Sequence, residues 1–247
     1  MAWREPLFLT NDDGIEAAGL HRLIQILHER GHPLAVLAPA QQQSASGMRL
    51  SLKSELEFIE RNDLVTTLEL DRNGPPVSIY SLDGTPCDCT IVAIDQGFES
   101  WAPMIRPQMC ISGINFGPNI SIDVIHSGTV SAAREAALYG MPAIALSLGT
   151  YLHEDFSVGT EAILKLVDRA LMVANEEPTN LMRSRGSKHQ PWGDEEMPMD
   201  ERVREAFRSG DLILNLNTPQ EWSGVVETVP LGARWYHGAT KQSGNKR

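Results

Sequence analysis

The sequence predicts an α/β fold with a mainly parallel sheet, and three observations carry that prediction. Short, mostly apolar runs recur along the chain, at Leu7–Thr10, Leu34–Ala38, Met109–Ser112 and Ala143–Leu146. Such runs suit strands buried in a sheet. Stretches with apolar residues at helical spacing lie between most of them. The connections are long enough to carry crossover helices, so the strands belong to right-handed βαβ units.

The elements follow in order. Leu7–Thr10 reads as a strand that stops at Asn11-Asp12-Asp13-Gly14. Leu20, Leu23, Ile24 and Leu27 then line one face of a helix, which Gly31 ends. Leu34–Ala38 is a second buried strand closed by Pro39. From Ser51 to Leu82 the pattern changes to alternating runs, 64–70 and 77–82, broken by Asn73-Gly74-Pro75-Pro76. That combination predicts a β-hairpin insertion. A helix from Pro86 to about Ile94 precedes the strand Met109–Ser112. A helix from about Val130 to Tyr139, the strand Ala143–Leu146 and a helix from about Phe156 to Ala174 continue the rhythm. Residues 176–210 are polar and rich in Arg, Glu, Pro and Gly, which predicts a surface excursion with a short amphipathic helix near 201–207. Leu212–Leu216 and Val225–Val229 return to strand pattern, and 239–247 form a polar tail expected to be disordered. The expected organisation is a single domain over residues 1–238.

A length of 247 residues suits one large α/β domain with a substantial core. The net charge of -11 argues against binding polymeric nucleic acid, which calls for a basic footprint. It leaves room for a phosphorylated small molecule, because a bound metal inverts the local field. The three cysteines, Cys87, Cys89 and Cys110, make an odd set that suits a reducing compartment. Met1-Ala2-Trp3-Arg4-Glu5 has no apolar signal region, and no apolar run approaches the ~18 residues of a membrane span. A cytoplasmic protein without membrane attachment is therefore expected.

Chemistry concentrates where strands end. In open α/β sheets the carboxyl ends of the strands face the ligand crevice. Asp12 and Asp13 stand there side by side, and their mutual repulsion invites a divalent cation. The competing reading is a helix cap, for which one aspartate would serve. Three further loops fall on the same edge: 38–47, with Ser44 and Ser46; 112–119, with Asn115 and Asn119; and 123–130, with Ser127-Gly128-Thr129. Ser127-Gly128-Thr129 opens a helix, and free N–H groups at a helix start form an anion site. The alternative is an ordinary Ser/Thr N-cap. Asparagines in a Gly/Pro-rich loop can simply tolerate unusual dihedrals. Carboxylates, neutral oxygens and an anion cradle converging on one edge make a metal–phosphate site.

On these motifs the chain resembles the SurE (stationary-phase survival protein E) nucleotidases. The resemblance lies in Thr10-Asn11-Asp12-Asp13-Gly14, in Ala38-Pro39 followed by Gln43-Ser44-Ala45 and Gly47, and in Ser112-Gly113-Ile114-Asn115 with Gly117-Pro118-Asn119. It continues through Asp123, Ser127-Gly128-Thr129-Val130 and Ala145-Leu146-Ser147, with a weaker echo at Leu214-Asn215-Leu216-Asn217. The resemblance implies a Rossmann-like three-layer αβα fold. It also implies hydrolysis of nucleoside monophosphates at the 5′ or 3′ position with a divalent metal cation, magnesium or manganese. Carried over by position, the metal ligands are Asp12, Asp13, Ser44 and Asn115, with Ser46 as a rival hydroxyl. The phosphate-facing positions are Asn11, Ser127, Gly128 and Thr129, with Asn119 nearby, and the catalytic residues are Asp12, Asp13 and Asn11. A homodimer or homotetramer is the implied assembly. The family's later segment, an aspartate followed by a strand ending in Thr-Pro-Leu, has no match here.

Other classes fit less well. A phospho-acceptor module needs an aspartate where Asn115 stands, and a lysine that Ala145-Leu146-Ser147 does not supply. A dinucleotide-binding domain needs Gly-x-Gly-x-x-Gly after the first strand. A non-catalytic nucleotide- or phosphate-binding descendant of the same fold is the main alternative. His126 reads as positional, and His21, His28 and His32 read as surface residues. The spacing of the five tryptophans suggests no base stacking.

Overall fold

The computed structural model describes residues 3–174, 195–233 and 237. The first strand, β1 (Leu7–Thr10), is wholly buried and pairs in parallel on both sides. On one side lie β2 (Leu34–Pro39), then β4 (Val77–Leu82), with the short β3 (Phe58–Glu60) antiparallel at the edge. On the other lie β5 (Met109–Phe116), β6 (Ala143–Leu148) and β7 (Ile213–Thr218), all parallel. The sheet order is β3-β4-β2-β1-β5-β6-β7. Strand order therefore reverses between β1 and β5, and the crevice outside their carboxyl ends is the switch point where such sheets bind ligands.

Side chains alternate across β1, so Leu7 and Leu9 enter one core and Phe8 the other. The Leu7 side is covered by α1 (Ala18–Glu29) and α7 (Thr160–Ala174), through Leu20, Leu23, Ile24 and Leu27, and through Ile163 and Val167. The Phe8 side is covered by α3 (Pro86–Asp95), α4 (Phe98–Trp101) and α6 (Gly128–Leu138), through Cys89, Trp101, Val130 and Ala133. Three layers result, as the buried strands required. A capping box between Thr85 and Asp88 opens α3, and the helix α5 (Asp123–His126) leads into α6.

The structure corrects several expectations. Residues 64–70 are not an alternating strand: α2 (Asn62–Thr67) occupies most of that run, burying Leu64, Leu68 and Leu70 against the α1 side. The hairpin expected of 64–70 and 77–82 is absent: β4 pairs antiparallel to β3 at 58–60 instead, and it is an internal strand of the sheet rather than part of an insertion. Residues 225–229 form no strand and leave Val225 and Val229 exposed, for no strand among the described residues pairs with them. His28 and His32 are buried rather than superficial. Each ring nitrogen meets a backbone carbonyl, of Pro75 at 3.1 Å and of Glu5 at 2.8 Å, because the segments before β4 and β1 cover the end of α1. Within the polar excursion, the expected helix is α8 (Met199–Arg208), whose Phe207 joins the α1–α7 core. Residues 175–194 and the tail 239–247 lie outside the described residues.

One glycine sets how closely α1 approaches the sheet. A Cβ at Gly19 would lie 2.0 Å from the Ile114 carbonyl oxygen and 2.9 Å from the Phe156 ring. Helix propensity alone favours alanine there by about 1 kcal/mol, while forcing atoms into a packed interface costs about 1–3 kcal/mol. The clash involves backbone, so it wins. Gly19→Ala is expected to lower the thermal midpoint by about 5 °C, measured by circular dichroism; a rise would mean that α1 can move off β5.

Candidate metal and phosphate site

After β1 the chain must turn sharply to reach α1, and Asn11 holds that turn. Its side-chain amide donates to the Gly14 carbonyl at 2.8 Å, and its Oδ1 accepts from the Gly14 N–H at 3.2 Å. Gly14 has φ +99 and lies against the Gln41 backbone, so a side chain there would meet both strain and atoms. The loop after β2 closes onto this turn, where the Gln43 N–H donates to the Asp12 carbonyl at 2.7 Å. The sharp turn leaves Asp12 and Asp13 at the carboxyl edge of β1.

Asp12 is almost completely buried against the start of α6. The Thr129 hydroxyl donates to its carboxylate. Gly128 permits the contact: a Cβ there would lie 2.6 Å from both Asp12 Cβ and Ser46 Oγ, and 2.9 Å from Asp12 Oδ2. Ser127 caps the helix by accepting from the Val130 N–H at 3.0 Å. The ordinary N-cap is therefore present, within a helix start that also faces an acid. Asp13 is less buried; its Oδ2 accepts from the Phe116 N–H at 3.1 Å, and the Gln42 amide approaches at 3.5 Å.

Burial pushes the Asp12 carboxyl up to about 6; the Asp13 charge adds to the rise and Thr129 opposes it. Burial also raises Asp13, against the Phe116 N–H and the Gln42 amide, with Glu154 adding repulsion. Neither carboxylate draws on a cationic side chain among the described residues. The pair thus lacks positive charge, and a dication would supply it.

The neutral oxygens fit such an ion. At the end of β5 the Asn115 amide donates to the Gly117 carbonyl at 2.7 Å, leaving Oδ1 as the group to face a ligand. Ser46 Oγ is buried beside Asp12 and has no hydrogen-bond partner. Ser44 is exposed on the same loop. The described residues contain no group of three or more His, Cys, Asp or Glu able to hold a metal. A cation here would therefore rest on two carboxylates and neutral oxygens, a donor set suited to hard ions.

Two expected phosphate positions have other work. Asn11 spends both polar ends of its side chain on Gly14. Asn119 is clamped by the sheet: its amide donates to Ser147 Oγ at 2.9 Å, its N–H to Asn217 Oδ1 at 2.7 Å, and its carbonyl accepts from Asn215 and Asn217. Both brace loops around the crevice. The Phe116 and Glu154 influences on Asp13 had no local sequence signal, because they join residues more than a hundred positions apart.

Comparison with known proteins identifies the family. The family model described as Survival protein SurE matches residues 7–238. The chain is 36% identical over 165 residues to the 5′-nucleotidase SurE of Prochlorococcus marinus (strain MIT 9211), covering 67% of this chain and 56% of that protein. It is 37% identical over 168 residues to the 5′-nucleotidase SurE of Carboxydothermus hydrogenoformans, covering 67% and 58% respectively. The crystal structure of the SurE protein from Aquifex aeolicus superposes with a TM-score of 0.60 at 25% identity, covering 87% of this chain and 66% of that one. The chain thus spans less than two thirds of the length of the curated relatives it matches.

In an unfolded chain an aspartate ionises near pH ~4, whereas Asp12 in the fold holds its proton until about 6. Stability of the metal-free protein therefore falls as pH rises through that interval, by about 3 kcal/mol. Asp12→Asn keeps an acceptor for the Thr129 hydroxyl and is expected to remove the part of the fall due to Asp12, leaving what Asp13 contributes. Chemical denaturation in EDTA across the interval measures it; an unchanged pH profile would show that Asp12 ionises freely.

Proposed function

Since the chain belongs to the SurE family, we propose that it is a divalent-metal-dependent phosphatase, a hydrolase that converts nucleoside monophosphates to nucleoside and phosphate. The observation that carries this proposal is the buried acid Asp12 against the amino end of α6, beside a second carboxylate and without a cationic partner. Asp12, Asp13, Asn115 and a hydroxyl of the 44–46 loop would hold magnesium or manganese. When bound, such a cation neutralises phosphate charge and lowers the pKa of a water.

The chain's own groups do the rest. The N–H groups at the start of α6, around Ser127, Gly128 and Thr129, receive phosphoryl oxygens, which a helix amino end favours. Gly128 lets Asp12 and Ser46 pack against that end, because any side chain would collide with both. Asn11 keeps both carboxylates at the mouth by locking the turn. In hydrolysis a water oxygen bonds to phosphorus, the ester P–O bond breaks, and the nucleoside oxygen leaves with a proton. A cytoplasmic setting suits the three buried, unpaired cysteines, and no helix among the described residues is long and apolar enough to cross a membrane. Assembly as a homodimer or homotetramer belongs to the same proposal.

A phosphate-release assay over 5′ and 3′ nucleoside monophosphates, with magnesium, manganese and EDTA arms, tests the proposal. Release is expected only with metal, and Asp12→Asn is expected to lose several orders of magnitude while staying folded. Gly128→Ala keeps the backbone N–H but should lose about a hundredfold, the scale of a small misplacement in a site, because its Cβ would fall 2.6 Å from Asp12 Cβ and displace the acid. Nucleotide binding without any release, in all metal arms, would instead mean a non-catalytic descendant.

A further inference from the structure

Next to the acid pair, the end of β5 leads to an exposed aromatic side chain. Tyr151, in the loop between β6 and α7, is 66% exposed. Its ring lies against Gly117: a Cβ there would fall 2.0 Å from Cε1 and 2.5 Å from Cζ. The Phe116 ring meets it edge to face, with centroids 6.0 Å apart at 84°, and Phe116 is backed by Phe156 at 6.4 Å. The same two residues carry the acid site on their backbone, since the Phe116 N–H holds Asp13 and the Gly117 carbonyl holds the Asn115 amide. Glu154, three residues after Tyr151, is close enough to act on Asp13. One line of contacts therefore runs from the start of α6, through Asp12 and Asp13, to Phe116, Gly117 and Tyr151.

We propose that Tyr151, propped by Phe116 against Gly117, is the stacking platform for the nucleobase, so that the site prefers nucleotides to base-free sugar phosphates. The proposal rests on the nucleotidase reading and deepens it. A ring exposed this far gains by covering a flat partner, and every base has a π-face to offer. Stacking of this kind tolerates all bases and favours the larger purines. In this proposal a substrate whose phosphate lies before the start of α6 extends its base past Asp13 toward the Phe116–Tyr151 pair.

The test compares adenosine 5′-monophosphate with ribose 5-phosphate, which keeps the sugar and phosphate but lacks the base. In Tyr151→Ala the ratio of kcat/KM between the two is expected to fall about tenfold, within the range measured for base–aromatic stacking. Tyr151→Phe should hold the ratio, because it keeps the ring and removes only the hydroxyl. An unchanged ratio in Tyr151→Ala overturns the proposal, as does an equal fall in Tyr151→Phe. Calorimetric binding of the same two compounds reads the platform without turnover. Equal affinity of the wild type for both sinks it even if phosphate is released. Tighter binding of the nucleotide without release would remove the hydrolase reading and leave the platform standing.

Discussion

The structure turns on a single contact, that of the Asp12 carboxylate with the amino end of α6. A helix start stabilises a nearby carboxylate by at most about 2 kcal/mol, while removing a carboxylate from water costs several. The Thr129 hydroxyl narrows that gap without closing it, and the acid remains shifted toward its protonated form. A second acid beside it enlarges the deficit. The site is thus built short of positive charge, and the proposed binding of a dication and a phosphate rests on that shortage.

Holding such a contact demands support from every neighbouring strand end. The β1 turn is locked by Asn11 on Gly14, and the loop after β2 hydrogen-bonds to Asp12 itself. The end of β5 supplies the N–H that orients Asp13. The ends of β6 and β7 clamp Asn119 through Ser147, Asn215 and Asn217, which steadies the loop that leads through α5 into α6. Each brace is local and modest, but all converge on the crevice where strand order reverses. Substitution at Gly14 or Gly128 meets close neighbours because loops from distant parts of the chain pack against those points.

Where sequence and structure part, the cause is tertiary. The 64–70 run alternates well enough for a strand, yet a helix over 62–67 and the turn after it bury Leu64, Leu68 and Leu70 in the α1 core. His28 and His32 stand at the end of an amphipathic helix, a position that is normally wet. Segments arriving from before β4 and β1 cover them and supply carbonyl partners. Val225–Val229 has the pattern of a strand but no neighbour to pair with among the described residues. Ser44 and Ser46 differ in burial because the loop folds over Asp12, and no count along the chain reveals which hydroxyl turns inward.

The sequence by itself determined the layered fold, since strands this apolar must be covered on both faces and their connections are long enough only for crossovers. It also marked the loops of the candidate site, because paired carboxylates and a Ser-Gly-Thr helix start are visible as neighbours in the chain. The tertiary structure alone decided how those groups meet: which acid is buried, which asparagines brace loops, and which aromatic ring borders Asp13. The physical reason is separation. Phe116 and Asp13 touch across 103 positions, and Thr129 and Asp12 across 117. Hydrogen bonds and burial at that range are properties of packing, which periodicity and spacing do not encode.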